Sequence, residues 1–284
     1  MKFEVGSMKK GERVDSVMMK HFRKYAEVGK INMVNSLHHS TNLFGRGMIL
    51  LVRIWIFTQL YRVTYEVQHT TAINGLTLAM IIWNLVFVQG FQIASRPSVS
   101  RLIDEEVKTG TLAYSINRPY IYNLFHYFGF MGRVLPSLLV NVLLGCAIAL
   151  VMVGPIQVSI SGILAGSVLL FFGYTLDFFM SLGIGLAAFW MEDTSAFMWI
   201  YHKGFMVFGG AILPLALFPD NVQAIAIRLP FAQMYYSAAR ILVHYDAALF
   251  AQYLELQLMW IAVAGIIVSF MFMKGVRYVS LNGG

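Results

Sequence analysis

Residues 72–94 contain no Asp, Glu, Lys or Arg. A run of this length constrains the fold more than any other feature, because about 20 apolar residues in a helix match the ~30 Å hydrocarbon core of a bilayer. Five other stretches have the same character: residues 48–65, interrupted by Arg53 and Arg62; 134–153; 160–190, long enough to tilt or kink; 197 to about 217; and 256–273. The expectation is an all-α integral membrane protein with six transmembrane helices. No linker divides the chain, so residues 48–284 read as one membrane domain, preceded by a basic segment over 1–47.

Composition agrees. Of the 284 residues, 58% are hydrophobic and 12% charged, against roughly 25% charged in soluble domains. The net charge of +7 comes largely from Lys and Arg ahead of the first apolar stretch, which suits anionic lipid headgroups. No aromatic-basic motif favours nucleic acid. Cys146 is the single cysteine, so no intramolecular disulfide forms.

Within the basic segment, Val14, Val17, Met18, Phe22 and Tyr25 recur at helical spacing, with Lys20, Arg23 and Lys24 between them. That is an amphipathic helix, suited to the headgroup layer or to a partner protein. Lys and Arg are also dense between spans two and three (Arg96, Arg101, Lys108, Arg118, Arg133) and follow span six (Lys274, Arg277), whereas the turn over 154–159 has no charge. The positive-inside rule then puts both termini in the cytoplasm. Arg228 and Arg240 fall on the outer side, as mild exceptions.

The inner loop after span two carries the most chemistry. Pro97 ends the span and Ser98 or Ser100 caps a short helix. Leu102, Ile103 and Val107 stand among Arg101, Asp104, Glu105, Glu106 and Lys108, and Gly110 closes the helix in a left-handed conformation. A short helix with few apolar knobs and many charges suits docking into another protein's groove; the plainer reading is a solvated connector.

Glu105-Glu106-Val107-Lys108-Thr109-Gly110-Thr111-Leu112, followed by Asn117-Arg118-Pro119, resembles the "E…GTL…RP" stretch of type-2 ABC transporter permeases, where it forms the coupling helix seated on the nucleotide-binding subunit. Leu213-Pro214-Leu215, Phe218-Pro219 and Leu229-Pro230-Phe231 resemble that family's "PL…FP…LPF" pattern of short helices dipping into the outer leaflet. A weaker match is Phe189-Trp190 with Glu192-Asp193. The N-terminal helix resembles the family's connecting helix, and the nearest likeness is to its six-span bacterial branch. Arg53, deep in span one, departs from the pattern.

The resemblance implies a coupling helix in which Arg101, Leu102, Ile103, Glu105, Glu106, Lys108 and Gly110 dock the ATPase, and an outer re-entrant motif marked by Pro214, Pro219 and Pro230. It implies no catalytic or metal site and no cofactor in this chain. The chain has no G-x-x-x-x-G-K-[ST] phosphate loop, so ATP and Mg belong to a separate ABC ATPase, present in two copies. The membrane half is completed by a second permease, identical or related. Export of an amphipathic or lipophilic molecule across the inner membrane is the implied activity.

Asp177 lies mid-span in the fourth stretch, and His202 and Lys203 lie in the fifth. Charge at bilayer centre is costly and is normally paired or set in a wet cavity. Asp177 with Lys203 is one candidate pair; alternatively Lys203 snorkels to the headgroups from the cytoplasmic end of its helix. Gly162-x-x-x-Gly166 is a candidate close-approach face between helices. Two competing functions are an ion-coupled secondary transporter and a membrane-embedded lipid-modifying enzyme. The seven histidines are scattered without a metal motif, and no inverted repeat is evident.

Overall fold

The computed structural model describes residues 10–38, 40–73, 75–95 and 99–282. Pro97, Ser98 and the side chains up to residue 22 lie outside it, so the proposed end of span two and the first turns of the amphipathic face fall beyond the described residues. In chain order the elements are α1 (Lys10–His38) and α2 (Ser40–Val67); a minimal hairpin of β1 (Ala72–Ile73) and β2 (Leu76–Thr77); then α3 (Leu78–Ala94), α4 (Val99–Lys108), α5 (Leu112–Ile116), α6 (Tyr122–Val153) and α7 (Ile160–Leu186). A 3-10 turn over Ala187–Phe189 leads to α8 (Ser195–Phe208). A second such turn, Leu215–Leu217, precedes α9 (Asp220–Arg228), α10 (Pro230–Met234), α11 (Tyr236–Val243) and α12 (Ala247–Asn282).

α3 is the axis of the molecule. Every residue from Ile81 to Ala94 is buried, enclosed by α2 and α6 on one side and α11 on another, while α7 packs against α11, α4 and α12. The outer helices instead expose apolar side chains in stripes: Met48, Val52, Trp55 and Val63 on α2, Leu135, Leu139 and Leu143 on α6, and Val263, Ile266, Ile267 and Phe270 on α12. Such stripes have no place in water and face lipid or a membrane partner. Four stretches are long and apolar enough to cross a bilayer, Leu78–Lys108, Tyr122–Val153, Ile160–Phe189 and Ala247–Arg277. The apolar part of the first is α3, since α4 carries five of the charges named above.

The helices at the first and sixth expected spans, α2 and α12, are longer than expected, and three other spans differ in their limits. The second starts at Leu78 rather than 72, because the paired register Ala72↔Thr77 and Ile73↔Leu76 holds the preceding residues extended, and Thr77 Oγ1 then caps the helix by accepting from the Met80 N–H at 3.3 Å. The third begins at Tyr122, so Arg133 lies inside α6 rather than in a loop. There it donates to Asn32 Oδ1 of α1 at 2.8 Å, and α1 packs along α6 with Tyr25 buried.

The fifth expected span is not one continuous helix. α8 has 14 residues, about 21 Å of helix at 1.5 Å per residue, and ends at Gly209 and Gly210, the latter at φ 71°. The backbone polar groups beyond the helix end are met by protein, as non-helical backbone in an apolar setting requires. The Tyr61 hydroxyl donates to the Ile212 carbonyl at 3.0 Å, and Gln89 Nε2 donates to the Ala211 carbonyl at 2.9 Å.

The candidate close-approach face on α7 is used within the chain. A Cβ on Gly166 would lie 2.5 Å from Leu242 Cγ, and one on Gly173 would lie 1.8 Å from the Met234 carbonyl oxygen. The glycines seat α10 and α11 on α7, so this face is not free for a second copy.

Candidate functional site

α4 divides its residues between two faces. Val99, Ser100 and Ile103 are buried, at the i, i+1, i+4 spacing that marks one side of a helix. They meet α7 where it has no side chain: a Cβ on Gly185 would lie 2.8 Å from both Ile103 Cβ and the Ser100 carbonyl oxygen. Arg101, Leu102, Glu105 and Lys108 follow the opposite spacing and are exposed, as is Gly110. Gly110 has φ 72°, the left-handed closure expected of it.

Polar bonds tie the same helix to two other parts of the body. Thr194, just before α8, donates its hydroxyl to Asp104 Oδ1 at 2.8 Å, while Lys108 Nζ holds Asp104 Oδ2 at 2.8 Å. That bond to Asp104 keeps the Lys108 ammonium above its ordinary pKa. At the start of α6 the Tyr122 hydroxyl donates to Glu106 Oε2 at 2.7 Å. His126 Nε2 stands 3.6 Å from the same oxygen, a little beyond hydrogen-bond length and within electrostatic reach. Burial pushes the Glu106 carboxyl up, but its contacts with His126 and Tyr122 prevail and hold it below the ordinary carboxylate value.

Two residues expected to dock a partner therefore face the other way. Ile103 is 0% exposed and packs on α7, and Glu106 is turned to α6. Both belong to the attachment of α4. Sequence reasoning missed Gly185, Thr194, Tyr122 and His126. The one signal was the Phe189-Trp190…Glu192-Asp193 string, which stands immediately before Thr194.

Asp177 is 5% exposed and is met by hydroxyls. Tyr201 of α8 donates to its Oδ1, Tyr235 between α10 and α11 donates to Oδ2 at 2.7 Å, and Ser181 donates at 3.5 Å. Lys203 does not join them. It follows Tyr201 by two residues, about 200° around the helix, and lies exposed with its Nζ 5.5 Å from the Trp199 ring centroid. The candidate pair is not formed, and Asp177 instead joins α7, α8 and the α10–α11 junction.

The three prolines mark starts of short elements. Pro214 precedes the second 3-10 turn, Pro219 precedes α9, and Pro230 is the first residue of α10. Each fixes φ where the chain reverses. α10, which Pro230 starts, and the following α11 pack into the body, where Ala232, Met234, Tyr235, Ala238 and Ile241 are buried. Gln257 of α12 supports them, donating to the carbonyls of Leu169 at 2.9 Å and Gln233 at 2.7 Å.

No curated protein matches the chain in sequence. A family model does: the one described as ABC-2 family transporter protein matches residues 53–282, which takes in the body from mid-α2 through α12, α4 included. With an anchored charged helix projecting from a lipid-facing helical body, and this match over most of its length, the chain belongs to the ABC-2 family of transporter permeases.

Proposed function

We propose that this permease is the membrane-spanning half of an ATP-driven exporter of an amphipathic or lipophilic molecule, energised by a separate ABC ATPase that docks on the outer face of α4. One observation carries the reading. α4 is held to α6, α7 and the start of α8 on one side, and presents Arg101, Leu102, Glu105 and Lys108 on the other. A push on the exposed side is passed to three elements of the body at once, as a rigid-body switch between two states of the membrane half requires.

In this reading α2, α3, α6, α7, α8 with its continuation, and α12 make six crossings, and both termini lie in the cytoplasm of an inner membrane. Two ATPase copies serve two permeases, identical or related, and ATP and Mg²⁺ sit in the ATPase. The residues of this chain do not fit them, lacking a phosphate loop, so none is given a role toward nucleotide.

The test is co-purification with the ABC ATPase encoded nearest to it, co-expressed in full length. Reversing the outer face with Arg101→Glu, Leu102→Asp and Glu105→Arg, while leaving Ile103 and Glu106 intact, is expected to abolish retention of the ATPase and its stimulation by the permease. Undiminished retention by that triple variant rejects α4 as the docking element.

A further inference from the structure

The break after α8 leaves a cavity with an unusual lining. It lies between α2 (Arg53, Ile56, Phe57), α3 (Gln89, Gln92) and the end of α8 with its continuation (Met206, Ala211, Ile212), and encloses about 250 Å³. That is a little under the roughly 300–1,000 Å³ of pockets that enclose a whole ligand, so it takes a head group rather than an entire lipid. Arg53 lies halfway along α2. Among the described residues no carboxylate or other acceptor holds its guanidinium, although charge at this depth normally has a partner. Gln89 is 2% exposed. Its amide orientation is fixed, because Nε2 must serve the Ala211 carbonyl at 2.9 Å, and this leaves Oε1 buried with no partner. Gln92, 6% exposed, borders the same space.

A planar fork of donors calls for an anionic oxygen group, phosphate or carboxylate. A buried carbonyl oxygen calls for a donor. A bare fatty carboxylate answers only the first, whereas a phosphodiester carrying a hydroxyl answers both, and Ile56, Phe57, Met206 and Ile212 suit the first methylenes of a tail. We propose that this cavity binds an amphiphile whose head group joins a phosphate to hydroxyl donors, the phosphate on Arg53 and a hydroxyl on Gln89 Oε1. Binding at this site does not depend on the ATPase reading and stands or falls separately from it.

The probe is phosphatidylglycerol, with phosphatidylcholine as the head group that lacks a hydroxyl donor and net charge. Native mass spectrometry of the full-length purified chain is expected to show phosphatidylglycerol retained about tenfold over phosphatidylcholine, the worth of meeting one buried acceptor. Arg53→Gln is expected to lower the retention of phosphatidylglycerol itself about tenfold, and Arg53→Lys to leave an intermediate retention. Photoactivatable phosphatidylglycerol on the unmodified chain serves if Arg53→Gln fails to fold; the expected adducts are on Ile56, Phe57 or Met206. Displacement of the lipid by free glycerol phosphate identifies the source as a soluble head group, and resistance to it identifies a membrane lipid; both fit the site. Equal retention of the two lipids by the unmodified chain, undiminished retention of phosphatidylglycerol by folded Arg53→Gln, or adducts confined to the outer stripes of α6 and α12 would overturn the proposal.

Discussion

A methyl group on Gly185 would lie 2.8 Å from the Ser100 carbonyl oxygen and from Ile103 Cβ, whereas one on Gly265 would meet only Phe179 Cζ at 4.0 Å. Gly265 sits inside a long helix, where Ala is intrinsically preferred by about 1 kcal/mol, whereas Gly185 is in the last turn of α7. The same substitution therefore has opposite outcomes. Gly265→Ala is expected to be neutral or to stabilise by up to that amount. Gly185→Ala must push α4 off α7 and is expected to cost about 1–3 kcal/mol net, as overpacking does. Melting temperatures of the two purified variants in one detergent decide the matter, and equal values would mean that α4 is not seated on α7 as described. Asp177 makes a related point about what single residues reveal. Its presence in an apolar run is plain from the sequence, and its cost predicts that something must meet it. What meets it is not readable, because Tyr201 and Tyr235 arrive from 24 and 58 positions along the chain and nothing local distinguishes them from the other tyrosines.

At the scale of elements, α4 was legible in outline. Its start near Val99, its amphipathic spacing and its left-handed end at Gly110 follow from local chemistry. Its orientation was not, since Ile103 and Glu106 turn inward only because Gly185, Tyr122 and Thr194 occupy the other side. Likewise a window of apolar residues across 197–217 gave no notice that Gly209 and Gly210 interrupt it, because hydropathy counts side chains and the break is in the backbone. The attachment of α4 to α6 has a pH signature. Glu106 is held below the ordinary carboxylate value, so its contribution is fully present above the unfolded pKa, about 4.3, and is lost as pH falls through the lowered folded value. Thermal stability of the unmodified chain should thus exceed that of Glu106→Gln at neutral pH. The gap should close as the medium is acidified below the ordinary carboxylate range. A gap that persists unchanged in acid would show that the carboxylate charge contributes nothing to the attachment.

At the scale of the whole molecule, the length of α6 fixes which parts lie on opposite sides. Its 32 residues span about 48 Å at 1.5 Å each, well over the ~30 Å of hydrocarbon. The Tyr122–Glu106 bond holds α4 to one end of it, and Gly154 at φ 77° turns the chain at the other. In the proposed arrangement α4 and the 154–159 turn face opposite compartments. In the proposed orientation the side of α4, with its Lys and Arg clusters, is the cytoplasm, as the positive-inside rule predicts, and the uncharged turn is outside. Lys108 and Gln157 are both exposed and report on the two sides directly. In a Cys146→Ser background, Gln157→Cys is expected to react with a membrane-impermeant maleimide on intact cells, and Lys108→Cys only after permeabilisation. The reverse pattern would put α4 out of reach of any cytoplasmic ATPase. Labelling of both positions on intact cells would mean that α6 does not cross the membrane, and the stripe of Leu135, Leu139 and Leu143 would then have to be covered by protein instead of lipid.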